Sequence, residues 1–562
     1  MDRRSKGSIG LLLLLTGVWL GLRAWKQWQL DPLAQIPLND AAVYWAWAER
    51  IAQGQLIGSE PFFSAPLYPY LLGALRALGL GLAGVMAVQI LLTLLTAWRI
   101  HAIAQRLLAG RAALLAPLLF VLLADTGYGT LRVLNNTLVA LLAVLLWEQW
   151  LHLRAELSPR RVALASLTYG LNLLANPIFL PALPLYAVYL WWRAGRRVQP
   201  ALLGGIIVLA CMAPATLHNR LACGEWIPVS AQAGVTFVHG NAPGADGTYT
   251  AIPGVSVDRA RQNQDARQRV LHETDGSWRS VDSAYFREGL AFWSAQPLDA
   301  LTLLGRKLRW FVFGSNYGDI YIPALEAEAG LDPLRWPGVL PAGLLVPFAL
   351  VVMALLLRER RIGFAECLLV GLPLLTVLLF FYSPRYRFPA LVPLSVMAAV
   401  GLAMLMQSRG QTARGALLAL TLALSAGHAL LAGETGFDAL DRHRPGHERS
   451  LGTAWTAQGS HEKALAAYRR AAQAGDPIAA VAAADSLRRM GHREAARAEL
   501  EEWIETHPLD AYARKTLGIT LAELGLLSEA LSALEQARKL DMRDMETLEA
   551  LQRVRGELQS PR

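Results

Sequence analysis

Two aspartates next to apolar stretches are the residues best suited to acid–base chemistry in this sequence. Asp40 begins the stretch Asp40-Ala41-Ala42-Val43-Tyr44, and Asp125 ends a run of apolar residues. A positioned carboxylate takes a proton from an attacking hydroxyl or amine. The alternative is structural, because Asp is also favoured at helix N-termini and in turns.

Cationic side chains in the sequence are candidates for binding an anion such as a phosphate group. The segment Tyr382-Ser383-Pro384-Arg385-Tyr386-Arg387-Phe388-Pro389 places two guanidinium groups beside aromatic rings. Arginine recognises phosphate through paired N–H donors, and Lys307 is a third candidate cation. The alternative is interfacial placement, in which the arginines extend to water and the tyrosines form an aromatic belt.

Aromatic and amide side chains near these groups are candidates for substrate binding. Tyr44 follows Asp40, Tyr68 lies in the segment Pro66-Leu67-Tyr68-Pro69-Tyr70, and Tyr386 separates the two arginines. Asn241 lies in a stretch rich in Gly, Asn, Pro and Asp, a composition that is typical of turns. A turn therefore remains an alternative to substrate binding for Asn241.

The sequence gives little support for a zinc site, a nucleotide-binding site or another cofactor site. Its three cysteines, Cys211, Cys223 and Cys367, show no Cys-x-x-Cys or zinc spacing. No Gly-rich nucleotide-binding loop is present. A divalent cation near Asp40 and Asp125 stays open, although no spacing supports it, and we expect no other cofactor.

The elements that position these residues are predicted to be membrane-spanning helices. Of the 562 residues, 54% are hydrophobic and 17% are charged, against about 25% charged in soluble domains. A spanning helix needs about 20 mainly apolar residues. This rule predicts eleven spans, near 8–25, 82–106, 111–125, 129–151, 161–176, 177–193, 200–217, 338–357, 362–382, 387–406 and 415–432. We expect the first one to be retained rather than cleaved as a signal peptide.

Basic residues in alternate connections predict the orientation, because cytoplasmic loops are enriched in Lys and Arg. The predicted cytoplasmic groups are Arg3, Arg4 and Lys6; Arg106 and Arg111; Arg154 to Arg161; Arg193 to Arg197; Arg358 to Arg361; and Arg409 to Arg414. The loops 26–66 and 218–337 and the tail then lie outside the cytoplasm. The net charge of +9 follows from this bias, so we expect no nucleic-acid partner.

The tail contains an internal repeat. Gly459, Gly491 and Gly525 recur at regular intervals. An alanine and then a large residue follow each glycine: Ala464 and Tyr468, Ala496 and Leu500, Ala530 and Leu534. Glycine suits the turn within a helix pair, and alanine allows the helices to approach closely. The pattern resembles the tetratricopeptide repeat, which implies a protein partner; a generic helical hairpin domain is the alternative.

Three outer segments together resemble the GT-C superfamily of membrane glycosyltransferases. They are Asp40 with the Pro- and Tyr-rich segment 61–72, the loop 229–247, and the segment 382–389. The closer resemblance is to the dolichyl-phosphate-mannose protein mannosyltransferases (glycosyltransferase family 39) and their bacterial relatives, including lipid A aminoarabinose transferases. It implies that Asp40 is the catalytic or acceptor-orienting carboxylate. Some relatives have an Asp-Glu pair here, whereas this chain has Asp40-Ala41, so the resemblance does not extend to two carboxylates at this position. Asp125, at the outer end of another predicted span, could supply a second carboxylate, and a helix cap or turn is its alternative role.

We therefore predict an all-α polytopic bundle followed by an α-helical repeat solenoid. Residues 1–432 form the membrane domain, 433–447 a linker and 448–556 the repeats, with a small strand contribution between 225 and 260. The resemblance implies an inverting hexosyltransferase of the bacterial inner membrane. It would move sugar from a polyprenyl-phosphate donor to a protein or glycan acceptor on the periplasmic face. A non-catalytic repeat scaffold and an envelope polysaccharide ligase or polymerase are the alternatives.

Overall fold

The computed structural model describes residues 3–256, 259–314, 321–332, 334, 340–408, 413–431, 439–542 and 544–559. Within these ranges the chain is helical and forms no β-strand, so the all-α prediction is confirmed there. The strand contribution expected between 225 and 260 is wrong for the residues described. The chain divides into two compact units, one of residues 1–30 and 39–437, the other of residues 31–38 and 438–562.

The first part of the chain contains twelve α-helices. They are α1 (Arg3–Leu30), α2 (Pro32–Gln35), α3 (Asp40–Ala52), α4 (Leu67–Ala77), α5 (Leu82–Ala104), α6 (Leu115–Leu122), α7 (Ala124–Thr130), α8 (Asn136–Ala155), α9 (Pro159–Ala175), α10 (Leu183–Arg193), α11 (Gln199–Cys223) and α12 (Ala233–Gly240). Two 3₁₀ helices, Gly110–Leu114 and Pro177–Ala182, precede α6 and α10.

The remaining helices belong to the large loop, the later apolar runs and the tail. They are α13 (Arg259–Arg269), α14 (Trp278–Ala295), α15 (Pro297–Phe313), α16 (Pro323–Glu328), α17 (Ala342–Arg358), α18 (Phe364–Leu379), α19 (Pro384–Ser408), α20 (Ala413–Leu431), α21 (Ala439–Ala457), α22 (His461–Gln473), α23 (Pro477–Arg489), α24 (Arg493–Thr506), α25 (Ala511–Glu523), α26 (Leu527–Leu540) and α27 (Met545–Gln559).

Five helices in the described ranges are long and apolar enough to cross a membrane: α1, α5, α8, α11 and α19. Three shorter apolar segments, 110–122, α17 and α18, correspond to further predicted spans. The predicted span 177–193 is broken, because a 3₁₀ turn containing Pro181 precedes the 11-residue helix α10. By length and composition the structure thus supports five spanning helices, fewer than the eleven predicted.

Helix α19 forms the centre of the first unit. Of its most apolar stretch, 83% is buried, against 22% for α1 and α11. It packs against α17, α18, α6 and α8. Because α19 begins at Pro384, its first turn carries the two candidate arginines into the interior of this unit.

Contacts within this unit agree with the predicted sorting of connections. Connections predicted to be cytoplasmic contact one another through Arg106 with His152, Arg193 with the Arg154 carbonyl, Arg361 with the Leu107 carbonyl, and Arg414 with Glu359. Segments predicted to be outside contact one another through Asp40 with Arg385 and through Asp125 with Arg387. Connections that the basic residues assign to the same side of the membrane are therefore in contact with one another, although they are far apart in sequence.

The second unit is a series of helix pairs in which each of the helices α21 to α26 packs on the next one along the chain. Gly459, Gly491 and Gly525 have φ angles of 74°, 88° and 79° in the turns within the pairs, a backbone region that favours glycine. The repeat-like helical packing is confirmed, since the predicted alanines Ala464, Ala496 and Ala530 are all fully buried.

The second unit also includes a short segment from the start of the chain. Helix α2 packs on α21, and the Gln458 amide donates a hydrogen bond of 3.3 Å to Gln35 Oε1. The predicted linker 433–447 lies partly outside the described residues, and its part from Ala439 onward is helical. The sequence pattern predicted neither the packing of α2 on α21 nor the helix that begins at Ala439.

Candidate functional site

Asp40 is the first residue of α3 rather than its N-cap. The cap residue is Asn39, whose side chain makes no capping hydrogen bond. Its φ of 50° and ψ of −126° are unusual for a residue with a side chain. Asp40 therefore does not cap α3 in this structure, and its carboxylate faces Arg385 and Arg259.

The Asp40 carboxylate lies between two arginines. Arg385 Nη1 donates to Oδ2 at 2.7 Å, and Arg259 Nε lies 3.4 Å from Oδ1. Burial alone raises the pKa of the Asp40 carboxyl, but Arg385 and then Arg259 lower it more, so the net pKa is below its ordinary value. The group is therefore an anion at neutral pH and is available to accept a proton or a hydrogen bond.

Arg387 lies two residues after Arg385 but has different partners. It is fully buried and donates to the carbonyls of Phe311 at 3.1 Å and Gly314 at 2.8 Å, as well as to Asp125 at 3.1 Å. Both Arg387 and Asp125 are therefore engaged by protein groups. The pair joins the start of α19 to the end of α15 and the start of α7.

Lys307 and Asn241 form a separate buried cluster. Lys307 Nζ donates to Asn241 Oδ1 at 2.9 Å and to the Leu378 carbonyl at 3.2 Å. Burial among these uncharged groups lowers the pKa of Lys307 to about 7. Asn241 Oδ1 also accepts from Trp293, and its amide donates to the carbonyls of Phe237 and Leu379. In this structure, Lys307 and Asn241 therefore both form hydrogen bonds with other groups of the protein.

The candidate tyrosines line the interior beside Asp40. The Tyr44 hydroxyl lies 2.9 Å from Ser64 Oγ, and its ring meets the Tyr68 ring edge-on at 5.5 Å. The Tyr68 hydroxyl donates to Gln89 Oε1 at 2.5 Å. Burial raises the pKa of both phenols, so they are neutral hydrogen-bonding groups. Tyr386 packs on Phe381, with ring centroids 5.5 Å apart.

Arg259 is the site residue that the sequence analysis missed. It begins α13 in the large loop and places its guanidinium 4.5 Å from the Phe63 ring centroid, beside Asp40. A signal was present, because the stretch 259–269 contains several arginines in a loop predicted to lie outside, against the usual charge bias.

The candidate carboxylates do not form a metal site in the described residues. Asp40 is paired with arginines, and so is Asp125. No group of three or more His, Cys, Asp or Glu side chains converges in the part of the chain that the structure describes. Because arginine competes with a cation for these oxygens, the donor set does not fit a divalent ion.

Comparisons with known proteins give only distant likenesses. No protein-family model matches the chain, and no curated protein matches it. Among solved structures, the archaeal oligosaccharyltransferase AglB from Archaeoglobus fulgidus, in complex with an inhibitory peptide and a dolichol-phosphate, is 14% identical with a TM-score of 0.36. The match covers 74% of this chain and 54% of that chain, so this chain spans about half the length of AglB.

Two further solved structures are among these neighbours. The first TPR of Spaghetti (RPAP3), bound to an HSP90 peptide, is 18% identical with a TM-score of 0.20, covering 21% of this chain and 94% of that one. Yeast Tom70 is 13% identical with a TM-score of 0.22, covering 80% and 92%. These low scores carry no functional conclusion.

Proposed function

We propose that this chain is a membrane glycosyltransferase of the GT-C type. It transfers a sugar from a polyprenyl-phosphate donor to a protein or glycan acceptor on the outer face of a bacterial inner membrane. Asp40 is the base or acceptor-orienting carboxylate, and Arg385 stabilises the departing phosphate. The repeats bind a protein partner.

The observation that carries the proposal is the contact between Asp40 and Arg385. The two residues are 345 positions apart, yet their charged atoms lie 2.7 Å from each other in a largely buried setting. Ionised side chains are costly to bury, and those within a membrane domain are candidates for functional sites. The pair combines a proton acceptor with a phosphate-binding group.

The chemistry that these groups support is a direct displacement. Asp40 takes the proton of the acceptor hydroxyl or amine while that atom attacks the anomeric carbon. The bond from the anomeric carbon to the phosphate oxygen breaks, and the electron pair leaves with polyprenyl phosphate. Arg385 stabilises the charge that develops on the phosphate. A single displacement inverts the anomeric configuration, and no step uses a metal ion.

The proposal includes the membrane arrangement. We propose that the short helical segments also cross the bilayer, which gives eleven spans, and that the basic connections lie in the cytoplasm. The contacts among those connections and, separately, among the Asp40 and Asp125 segments support one common outer side. A lipid-linked donor reaches such a site from within the bilayer.

Two other functions lead to different expectations. A repeat scaffold with membrane anchors has no need for the buried Asp40–Arg385 pair, and its variants at these positions would keep partner binding. A polysaccharide ligase or polymerase would place its essential groups in a late outer loop, whereas Asp40 follows the first apolar helix.

The direct test is incubation of purified protein with radiolabelled polyprenyl-phosphate sugars and envelope acceptors. We expect at least one sugar to leave the lipid fraction and appear on an acceptor. Retention of label on every lipid donor, with folded protein and a complete acceptor panel, would contradict the proposed function.

Asp40→Asn provides the matched variant, because it removes the charge and keeps the shape. We expect transfer to fall about 10²- to 10⁴-fold, the usual contribution of a general base. Glu60→Gln, at an exposed position in the same outer segment, should retain wild-type turnover. Near-normal transfer by Asp40→Asn would remove Asp40 from the mechanism.

A further inference from the structure

The guanidinium of Arg259 is held along one edge only. Its Nη1 and Nη2 atoms donate to the side-chain oxygens of Gln262 and Gln232. Gln232 in turn donates to Asn263 Oδ1 at 2.7 Å, and Gln262 donates to the Tyr249 hydroxyl at 3.1 Å. These neutral amides orient the cation but do not compensate its charge.

The other edge of the same guanidinium faces Asp40. Arg259 Nε is buried and has no hydrogen-bond partner among the described residues. Its 3.4 Å separation from Asp40 Oδ1 is longer than the 2.7 Å between Arg385 and Oδ2. A buried N–H without an acceptor is costly. This edge is therefore suited to an incoming anion beside the carboxylate.

We propose that Arg259 is a second phosphate-binding residue, and that its guanidinium exchanges the long contact with Asp40 for the phosphate of the lipid donor. The inference rests on the proposed function. Donor binding would then move a cation from the base to the leaving group. Arg385 would keep its hydrogen bond to Asp40 during this exchange.

The exchange would also activate Asp40. A neighbouring cation lowers the pKa of a carboxyl group, as Arg259 does for Asp40. When the cation shifts to the phosphate, the pKa of Asp40 rises and the carboxylate becomes a stronger base. Proton transfer would therefore be favoured only after a donor is bound.

The test measures equilibrium binding to the full-length protein in nanodiscs. The probes are a short-chain polyprenyl monophosphate, the matching neutral polyprenol and inorganic phosphate. We expect Arg259→Ala to weaken polyprenyl-phosphate binding about tenfold or more, since hydrogen bonds to charged groups are the strong ones. Polyprenol binding should not change, and inorganic phosphate should bind far more weakly than the lipid phosphate.

A matched control lies on the same helix. Arg269 pairs with Glu288 at 2.7 Å and lies near the Tyr285 ring. Arg269→Ala removes the same charge from α13 and should leave polyprenyl-phosphate affinity unchanged. An equal loss in both variants would assign the effect to the helix or its net charge and overturn the role of Arg259.

A double-mutant cycle tests the exchange itself. Asp40→Asn should tighten polyprenyl-phosphate binding, because Arg259 no longer has to leave the carboxylate. In the Arg259→Ala background this gain should largely disappear. An undiminished gain would show a general charge effect and contradict the exchange.

The two proposals fail in different ways. If wild-type protein binds no polyprenyl phosphate, the proposed function fails and this inference falls with it. If wild-type protein binds the lipid phosphate but Arg259→Ala binds it equally well, only the role of Arg259 is overturned.

Discussion

At the scale of single residues, the nature of the partner determines what each charged side chain can do. Asp40 has cationic neighbours and stays ionised. Lys307 has only neutral acceptors and a pKa of about 7. Lys307 was predicted from the sequence as a candidate cation for donor phosphate, and that role stays a prediction. In the structure, its side-chain nitrogen joins α15 to the Asn241 turn and the end of α18.

The pH dependence of stability offers a test of the Lys307 environment. The folded pKa of about 7 lies below the ordinary value of 10.5, so the unfolded chain binds more protons between these two values. Stability contributed by this residue therefore rises with pH, by at most about 1.4 kcal/mol per pH unit. Below about pH 7 both states are protonated and the slope disappears.

Lys307→Met is the matching variant because it keeps the length of the side chain and removes the amine. The apparent melting temperature of wild-type protein should rise relative to this variant between about pH 7 and pH 10. Parallel melting curves for both proteins across that range would contradict a depressed pKa for Lys307.

At the scale of secondary-structure elements, the start of α19 separates two arginines that the sequence places together. Residues two apart on a helix point about 200° away from each other. Arg385 consequently reaches Asp40, whereas Arg387 reaches Asp125 and two backbone carbonyls. One arginine contacts the proposed base, and the other supports the packing around it.

Alanine variants of these two arginines should therefore have different effects. Arg387→Ala leaves a buried carboxylate and two carbonyls without their donor, which costs about 3–5 kcal/mol, so we expect a large fall in apparent melting temperature. Arg385→Ala should weaken donor use about tenfold or more. Its melting temperature should fall less than that of Arg387→Ala, because Arg259 still lies beside Asp40 and no backbone carbonyl loses its donor. Similar melting losses in both variants would contradict this division of roles.

The repeat unit depends on close helix approach at its glycines. A Cβ atom added at Gly518 would lie 2.5 Å from Leu534 Cγ. Gly518→Ala should therefore destabilise α25 and α26 by about 1–3 kcal/mol, as overpacking usually does. Limited proteolysis of the tail measures this change, with Gly556→Ala as the control, since nothing lies within 4 Å of a Cβ there.

At the scale of the whole molecule, the proposed function requires that Asp40 and the large loop lie outside while the basic connections lie in the cytoplasm. Single cysteines at the exposed positions Gln55, Asp275, Arg111 and Arg197 would test this arrangement. The three native cysteines would first be replaced.

We expect a membrane-impermeant maleimide to label positions 55 and 275 in intact cells and positions 111 and 197 only after permeabilisation. Efficient labelling of position 111 or 197 in sealed cells would contradict the orientation. Loss of labelling at position 55 alone would place the Asp40 segment on the wrong side.

Local patterns in the sequence were sufficient for the helical class, for the positions of the five long apolar helices in the described ranges and for the repeated helix pairs of the tail, but not for the number of spanning helices. Apolar runs, alternating basic connections and recurring glycines each depend on residues close together in the chain, so their periodicity is readable without a structure. Asp40 and the segment 382–389 were candidates because they lie beside apolar runs and resemble GT-C segments, and their roles stay predictions.

Only the tertiary structure decided which partners these residues have. It paired Asp40 with Arg385 rather than Arg387, brought Arg259 from the large loop to the same carboxylate, and engaged Lys307 with Asn241. Such pairings depend on how segments up to 345 residues apart pack, and on the direction in which each helix face points. Neither quantity is encoded in a short stretch of sequence.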